Sequence, residues 1–247
     1  LPGFCLAISA VAQKIIARYP GALKGAVTAA AVVIVIFGSL TYARNRLFQS
    51  PRLVWEDTIS KSWGKSRVYV GLAYDYVKTG EFQKAEDVLR FGRRAFKDRV
   101  DIQLALCWTL GAQGKFDSME QALSHIKPVK RTEWADYYNF KGLIEGQKGN
   151  AQTAMELLKK SLEYYPSHVD ATANIAVLLK SSGKTDEAIK WLRDAIEKYP
   201  YEADYHFNLG NMLLDSDKIG ALLEYKRTLE LDPSHRRAKK SLQALAD

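Results

Sequence analysis

The sequence predicts an all-α chain: one or two membrane-spanning helices followed by an α-solenoid of about five helix-turn-helix units. Three observations carry that expectation. Glycines at 80, 114, 149 and 183 recur at separations of 34, 35 and 34 residues, and a fixed period of this length marks stacked copies of one supersecondary unit. Val169–Pro200 holds two helical stripes, one through Ile175, Ala176 and Leu179 and one through Ala188, Leu192 and Ala195, each at spacings of three and four. Gly25–Ala43 is a run of 19 uncharged residues, roughly 28 Å as a helix and so close to the hydrocarbon thickness of a bilayer.

Leu1–Ala12 is apolar but too short to span a bilayer alone, so it is expected to be the end of a longer span in a fragment or processed chain. Residues 1–24 are thus an apolar helix and a short loop, in which Tyr19 suits a membrane interface. Residues 25–43 form the transmembrane helix. A secretory signal peptide cleaved after Thr41-Tyr42-Ala43 is the competing reading, but the run is long for one and another apolar segment precedes it. Three bases lie on either side of the span, in Lys14–Lys24 and Arg44–Arg52, so the positive-inside rule does not orient it. Residues 44–65 are expected to be a junction helix, with Pro51 in its first turn.

The units are placed at 66–99, 100–134, 135–168, 169–202 and 203–235, with a capping helix at 236–247. In each, a first helix carries a small residue, at Ala73, Cys107, Gly142, Ala176 and Gly210. A second helix carries another, at Ala85, Met119, Ala154, Ala188 and Ala221. Between them lies the turn glycine, free to take the left-handed conformation that ends a helix. Prolines at 166, 200 and 233 close units. Some positions depart from the pattern. Met119 is large, the stretch Ser124–Trp134 after it is one residue longer than expected, Lys141 and Glu145 stand at the usual Leu and Tyr positions, and Asp217 stands where unit five lacks its glycine.

These positions resemble the tetratricopeptide repeat, whose pattern is aromatic-x2-Leu-Gly-x2-Tyr, then Ala-x3-Phe and a late Pro. The resemblance implies a superhelix whose first helices line a concave face where peptide segments dock. On that implication the inward residues include Arg67, Tyr74, Trp108, Asn139, Asn174, Asn208 and Asn211, aromatic at one end and rich in asparagine at the other. Val70, Leu104, Leu143, Ala173, Val177 and Phe207 share the face. The Lys and Asn set of the family's carboxylate-clamp members is not reproduced. Leu1-Pro2, Gly3-Phe4, Arg44-Asn45 and Trp55-Glu56-Asp57 resemble the junction in transmembrane-and-tetratricopeptide-repeat O-mannosyltransferases and their bacterial relatives. That resemblance implies repeats outside the cytoplasm, periplasmic or luminal, as the non-catalytic arm of a multi-spanning glycosyltransferase. The family's catalytic acids have no counterpart in these residues.

Composition narrows the function classes. Of the net charge of +8, residues 1–65 hold eight bases and two acids and the remainder 28 bases and 26 acids. The basic excess therefore flanks the most apolar segment and favours a lipid surface over nucleic acid. Cys5 and Cys107 are too few for a disulfide framework or a metal site. The four histidines lack helical metal spacing, and His168 and His235 each follow Pro-Ser at a unit boundary, which points to a structural role. No phosphate loop or nucleophile elbow occurs, so no catalytic, cofactor or metal residues are expected. The expected partners are a protein or peptide segment, membrane lipid, and the other subunits of a membrane complex.

Overall fold

The structure, a computed structural model, describes residues 13–14, 18, 22–48, 50–61 and 65–246. The apolar run Leu1–Ala12 and the turn residue Tyr19 lie outside the described residues. The chain divides into two units, Leu1–Trp63 and Gly64–Asp247. All regular structure among the described residues is helical.

The first unit holds α1 (Ala22–Leu47) and α2 (Pro51–Lys61). Within α1, Thr28–Arg46 has a mean hydropathy of 1.3 and none of it is buried, so it is long and apolar enough to cross a membrane. The expected junction helix over 44–65 is not continuous. Instead α1 runs on through Arg44 and Arg46, because arginine favours a helix and its charge suits the negative C-terminal end. A separate α2 then starts at Pro51, where the fixed φ and missing N–H fit a first turn.

The second unit is a succession of hairpins. They are α3 (Ser66–Lys78) with α4 (Phe82–Ala95), α5 (Val100–Ala112) with α6 (Phe116–Leu123), and α7 (Arg131–Gln147) with α8 (Ala151–Tyr164). Then come α9 (Val169–Ser181) with α10 (Thr185–Lys198), α11 (Ala203–Leu213) with α12 (Lys218–Leu231), and α13 (Arg236–Ala246). Four hairpins turn alike. Gly80, Gly114, Gly149 and Gly183 have φ of 79°, 71°, 84° and 77°, a region open to glycine at little cost. The next residue's N–H reaches back to the last turn, as in Lys184 to the Leu179 carbonyl at 2.9 Å. The fifth hairpin, lacking glycine, is stopped by Asp217, whose carboxylate accepts the Gly220 N–H at 2.8 Å and caps α12.

Small residues set the helix crossings. Ala73, Cys107 and Ala176 on first helices, and Ala85, Ala154, Ala188 and Ala221 on second helices, are all buried. At Gly210 the approach is so close that an added Cβ would lie 2.7 Å from the Tyr225 ring. Met119 fits because Gly111 faces it, where a Cβ would stand 3.2 Å from its Sδ. The longer stretch after α6 is taken up by α7, which begins at Arg131, ahead of the expected Ala135. Glu133 accepts the Val129 and Lys130 N–H groups there at 2.9 and 3.1 Å. The first helices α3, α5, α7, α9 and α11 contact one another in sequence and make one continuous wall.

Candidate ligand groove

That wall carries a groove of about 300 Å³. α5 contributes Trp108, α7 Asn139, α9 Asp170 and Asn174, α11 Asp204 and Asn208, and α13 Arg237. Each arises from the same local rule. A first helix buries one stripe between its own and the preceding hairpin, Ala176 clustering with Ala188 and Ile175 with Leu158, and turns the next stripe toward the groove.

The sequence-expected residues divide among three situations. Trp108, Asn139, Asn174 and Asn208 line the groove. Tyr74 does not line it but stacks on Trp108, with ring centroids 5.1 Å apart, and Lys78 Nζ lies over the Tyr74 ring, 4.5 Å from its centroid. Asn211 accepts the Tyr225 hydroxyl at 2.8 Å, and Arg67 is exposed on α3. Asn139 is buried, and its amide oxygen accepts from Asn174 Nδ2 at 2.9 Å. It orients Asn174 and leaves that residue's oxygen free for a donor. Of the apolar residues expected on this face, Leu104 and Phe207 are instead core, because they pack against neighbouring helices, while Val177 is exposed.

The electrostatics rest on acids that the sequence reading did not single out. Asp101, Asp136, Asp170 and Asp204 recur at 35, 34 and 34 residues, each on a first helix. Asp101 takes Arg99 at 2.9 Å and the Ser66 hydroxyl at 3.0 Å. Asp136 is 3.0 Å from His168 Nε2, and Asp204 is 3.1 Å from His235 Nε2 and 2.8 Å from Arg237. Both histidines accept a backbone N–H at Nδ1, from Ala171 and Ala238. The neutral ring therefore carries its proton on Nε2 and donates it to the aspartate. They are boundary residues, tying each unit to the next.

Asp170 breaks the series. The position that holds His168 and His235 holds Glu202 in the intervening boundary, and a carboxylate cannot donate to a carboxylate. No hydrogen bond or ion pair reaches Asp170 among the described residues. Its surface is open at the groove, and the protein around the rest of it desolvates the carboxyl. That desolvation raises its pKa above the ordinary aspartate range; His168 and Arg237 oppose the shift, Asp204 and Asp136 add to it. The signal for this was present in the sequence as the 34-residue column of aspartates and the exchange of His for Glu at 202.

Among the described residues no cluster of His, Cys, Asp and Glu has the grouping to hold a metal. The Cys107 thiol is buried and pushed up to about 12 by desolvation, so it stays protonated and inert.

Residues 147–209 match the family model described as tetratricopeptide repeat. No curated protein matches the sequence. Among solved structures, a tetratricopeptide repeat protein from Parabacteroides merdae has a TM-score of 0.61 at 14% identity, over 95% of this chain and 90% of that one. The thermophilic protein TTC0263 of Thermus thermophilus has a TM-score of 0.60 at 15% identity, over 74% of this chain and 99% of that one. The match over residues 147–209 and these likenesses show an all-helical fold that resembles tetratricopeptide-repeat solenoid proteins.

Proposed function

We propose that this chain is a membrane-anchored scaffold that holds a segment of another protein in the groove of its first helices. The observation that carries the reading is the groove itself, in which the Trp108 ring and the Asn174 and Asn208 amides stay accessible. Such a surface offers an aromatic platform and, along it, amides that can both donate to and accept from a peptide backbone. The length and exposure of α1 support anchoring in lipid. The repeats then work within reach of a bilayer, on its periplasmic or luminal side, as a subunit of a membrane complex.

A photo-crosslinking residue in place of Val177, on the groove side of α9, tests the groove. The expected adduct disappears when Tyr74 and Trp108 are both changed to Ala, with helicity unchanged, and does not form from Leu223 on α12. Equal adducts from both positions would refute the groove. For the anchor, the chain is expected to stay with membranes at alkaline pH and to leave them once residues 25–43 are deleted. Labelling of Tyr201→Cys, with Cys5 changed to Ser, in intact cells by an impermeant maleimide reads the side, with buried Cys107 silent.

The junction residues favour a second reading, in which the repeats are the arm of a multi-spanning O-mannosyltransferase-like glycosyltransferase and present acceptor polypeptide to it. Further spans encoded upstream, with an acidic residue in the first outer loop, are its expected mark. An initiator methionine within a few residues of Leu1 removes it.

A further inference from the structure

Three features of the second unit remain outside the groove's general reading. The rings of Trp134, Tyr138 and Tyr164 stack at 5.6–5.9 Å, but Lys160 already occupies the face of Tyr138. Ile219 and Leu223 are exposed on α12 without anything that indicates what covers them. Asp170 is different, because its surroundings specify a complement.

We propose that the protein segment bound in the groove carries a lysine or arginine whose cation docks on Asp170. The proposal rests on the groove being the binding surface, and it adds the partner's charge and the place where that charge sits. Every other aspartate of the column is already engaged by a donor of this chain, through Arg99 and Ser66, His168, or His235 and Arg237. Among the described residues that line the groove Arg237 is the one cation, and it is held by Asp204 and lies over the Phe207 ring at 4.7 Å. It is therefore committed elsewhere. At the adjoining boundary Glu202 stands in place of the imidazole found in the units on either side, so that column position supplies no donor. Asp170 thus faces the groove as an acid with no donor among the described residues.

The geometry also orders the partner's contacts. Asn174 lies one helical turn along α9 from Asp170, on the same stripe, and Trp108 stands two helices away. A basic side chain on Asp170 places the backbone beside it over Asn174, with an apolar or aromatic residue toward Trp108. The desolvation that raises the Asp170 carboxyl also strengthens its pairing with an incoming cation.

The test uses random twelve-residue peptides displayed on phage and selected on the 247-residue chain in detergent micelles. Selected peptides are expected to share a lysine or arginine. Asp170→Asn is expected to abolish that preference while still enriching peptides, and Asp170→Lys to turn it to aspartate or glutamate. A selected lysine peptide should bind Asp170→Asn about ten- to a hundredfold more weakly, as a charge-assisted contact requires. Its norleucine analogue should bind both proteins alike. A basic preference that survives Asp170→Asn overturns the inference and leaves the groove standing. Peptides that bind a Trp108→Ala, Asn174→Ala, Asn208→Ala variant undiminished, or no enrichment at all, overturn the groove and the inference with it. The Asp170→Asn variant loses no internal bond, so it keeps its helicity and reports on binding alone.

Discussion

Glu86 and Asp170 are both carboxylates drawn in among helices, and they differ in every partner. Glu86, on α4, accepts from Arg90 at 2.7 and 2.9 Å, from Lys115 at 2.9 Å and from Gln113 at 3.2 Å. Lys115 and Gln113 flank the turn glycine of the next hairpin, so this acid fastens one unit to another. Burial alone would raise its pKa, but the bonds from Lys115, Arg90 and Gln113 outweigh burial and the carboxyl lies below the ordinary glutamate range. At Asp170 no donor opposes desolvation, and the shift has the opposite sign. The contrast separates the two layers of a repeat stack. At the helix crossing Glu86 is satisfied within the chain; on the groove face Asp170 is left for a ligand.

The crossing layer should answer to truncation most strongly. Leu192 is fully buried in the fourth hairpin, and Leu192→Ala is expected to destabilise by about 2–5 kcal/mol through lost burial and the cavity left. Ala188→Leu, the reverse change at the same crossing, should cost about 1–3 kcal/mol through overpacking. Denaturant unfolding checks both. An unchanged midpoint in either would mean that this crossing is not where the 34-residue period puts it.

Glu86→Ala should come next, at roughly 1–3 kcal/mol. The loss stays moderate because the side chains of Arg90 and Lys115 are 52% and 44% exposed and recover water when the carboxylate is removed. The sign with pH follows from the lowered folded pKa. The stabilisation is present above the ordinary glutamate pKa and is lost as pH falls through the folded value. Thermal unfolding down an acid series should therefore show the wild type converging on Glu86→Ala, the difference vanishing at the acid end.

How far these layers could be read from the sequence depends on the range of the interaction that makes them. The turn glycines and the small crossing residues are set within one hairpin, and Gly183, Ala176 and Ala188 could be placed by spacing alone. The extension of α1 past Ala43 was missed because two arginines resemble a boundary in composition while favouring the helix in conformation. Asn139 and Asn174 could be placed on the groove face, but not the bond between them, since it joins residues 35 apart in sequence. Asp170 was missed for the same reason. Its character comes from what position 202 fails to supply, and only the packing of one unit on the next brings that position to bear.

Asp170→Asn gives the smallest effect and the sharpest test of the contrast, because its sign is opposite. A folded-state pKa above the unfolded value means that the native protein binds more protons between the two, so stability falls as pH rises through that interval. At neutral pH the ionised carboxylate is a net cost to the fold, one that His168 and Arg237 only partly offset against Asp136 and Asp204. Replacing it with the uncharged isostere should raise the melting temperature slightly at about pH 7, and the gain should shrink toward zero below about pH 4, where unfolded aspartate is itself protonated. Glu86→Ala loses its effect at the same acid end, but from the destabilised side. If Asp170→Asn instead lowers the melting temperature at neutral pH, the carboxylate has a stabilising partner in the folded chain, and the contrast between Glu86 and Asp170 fails at the residue that defines it.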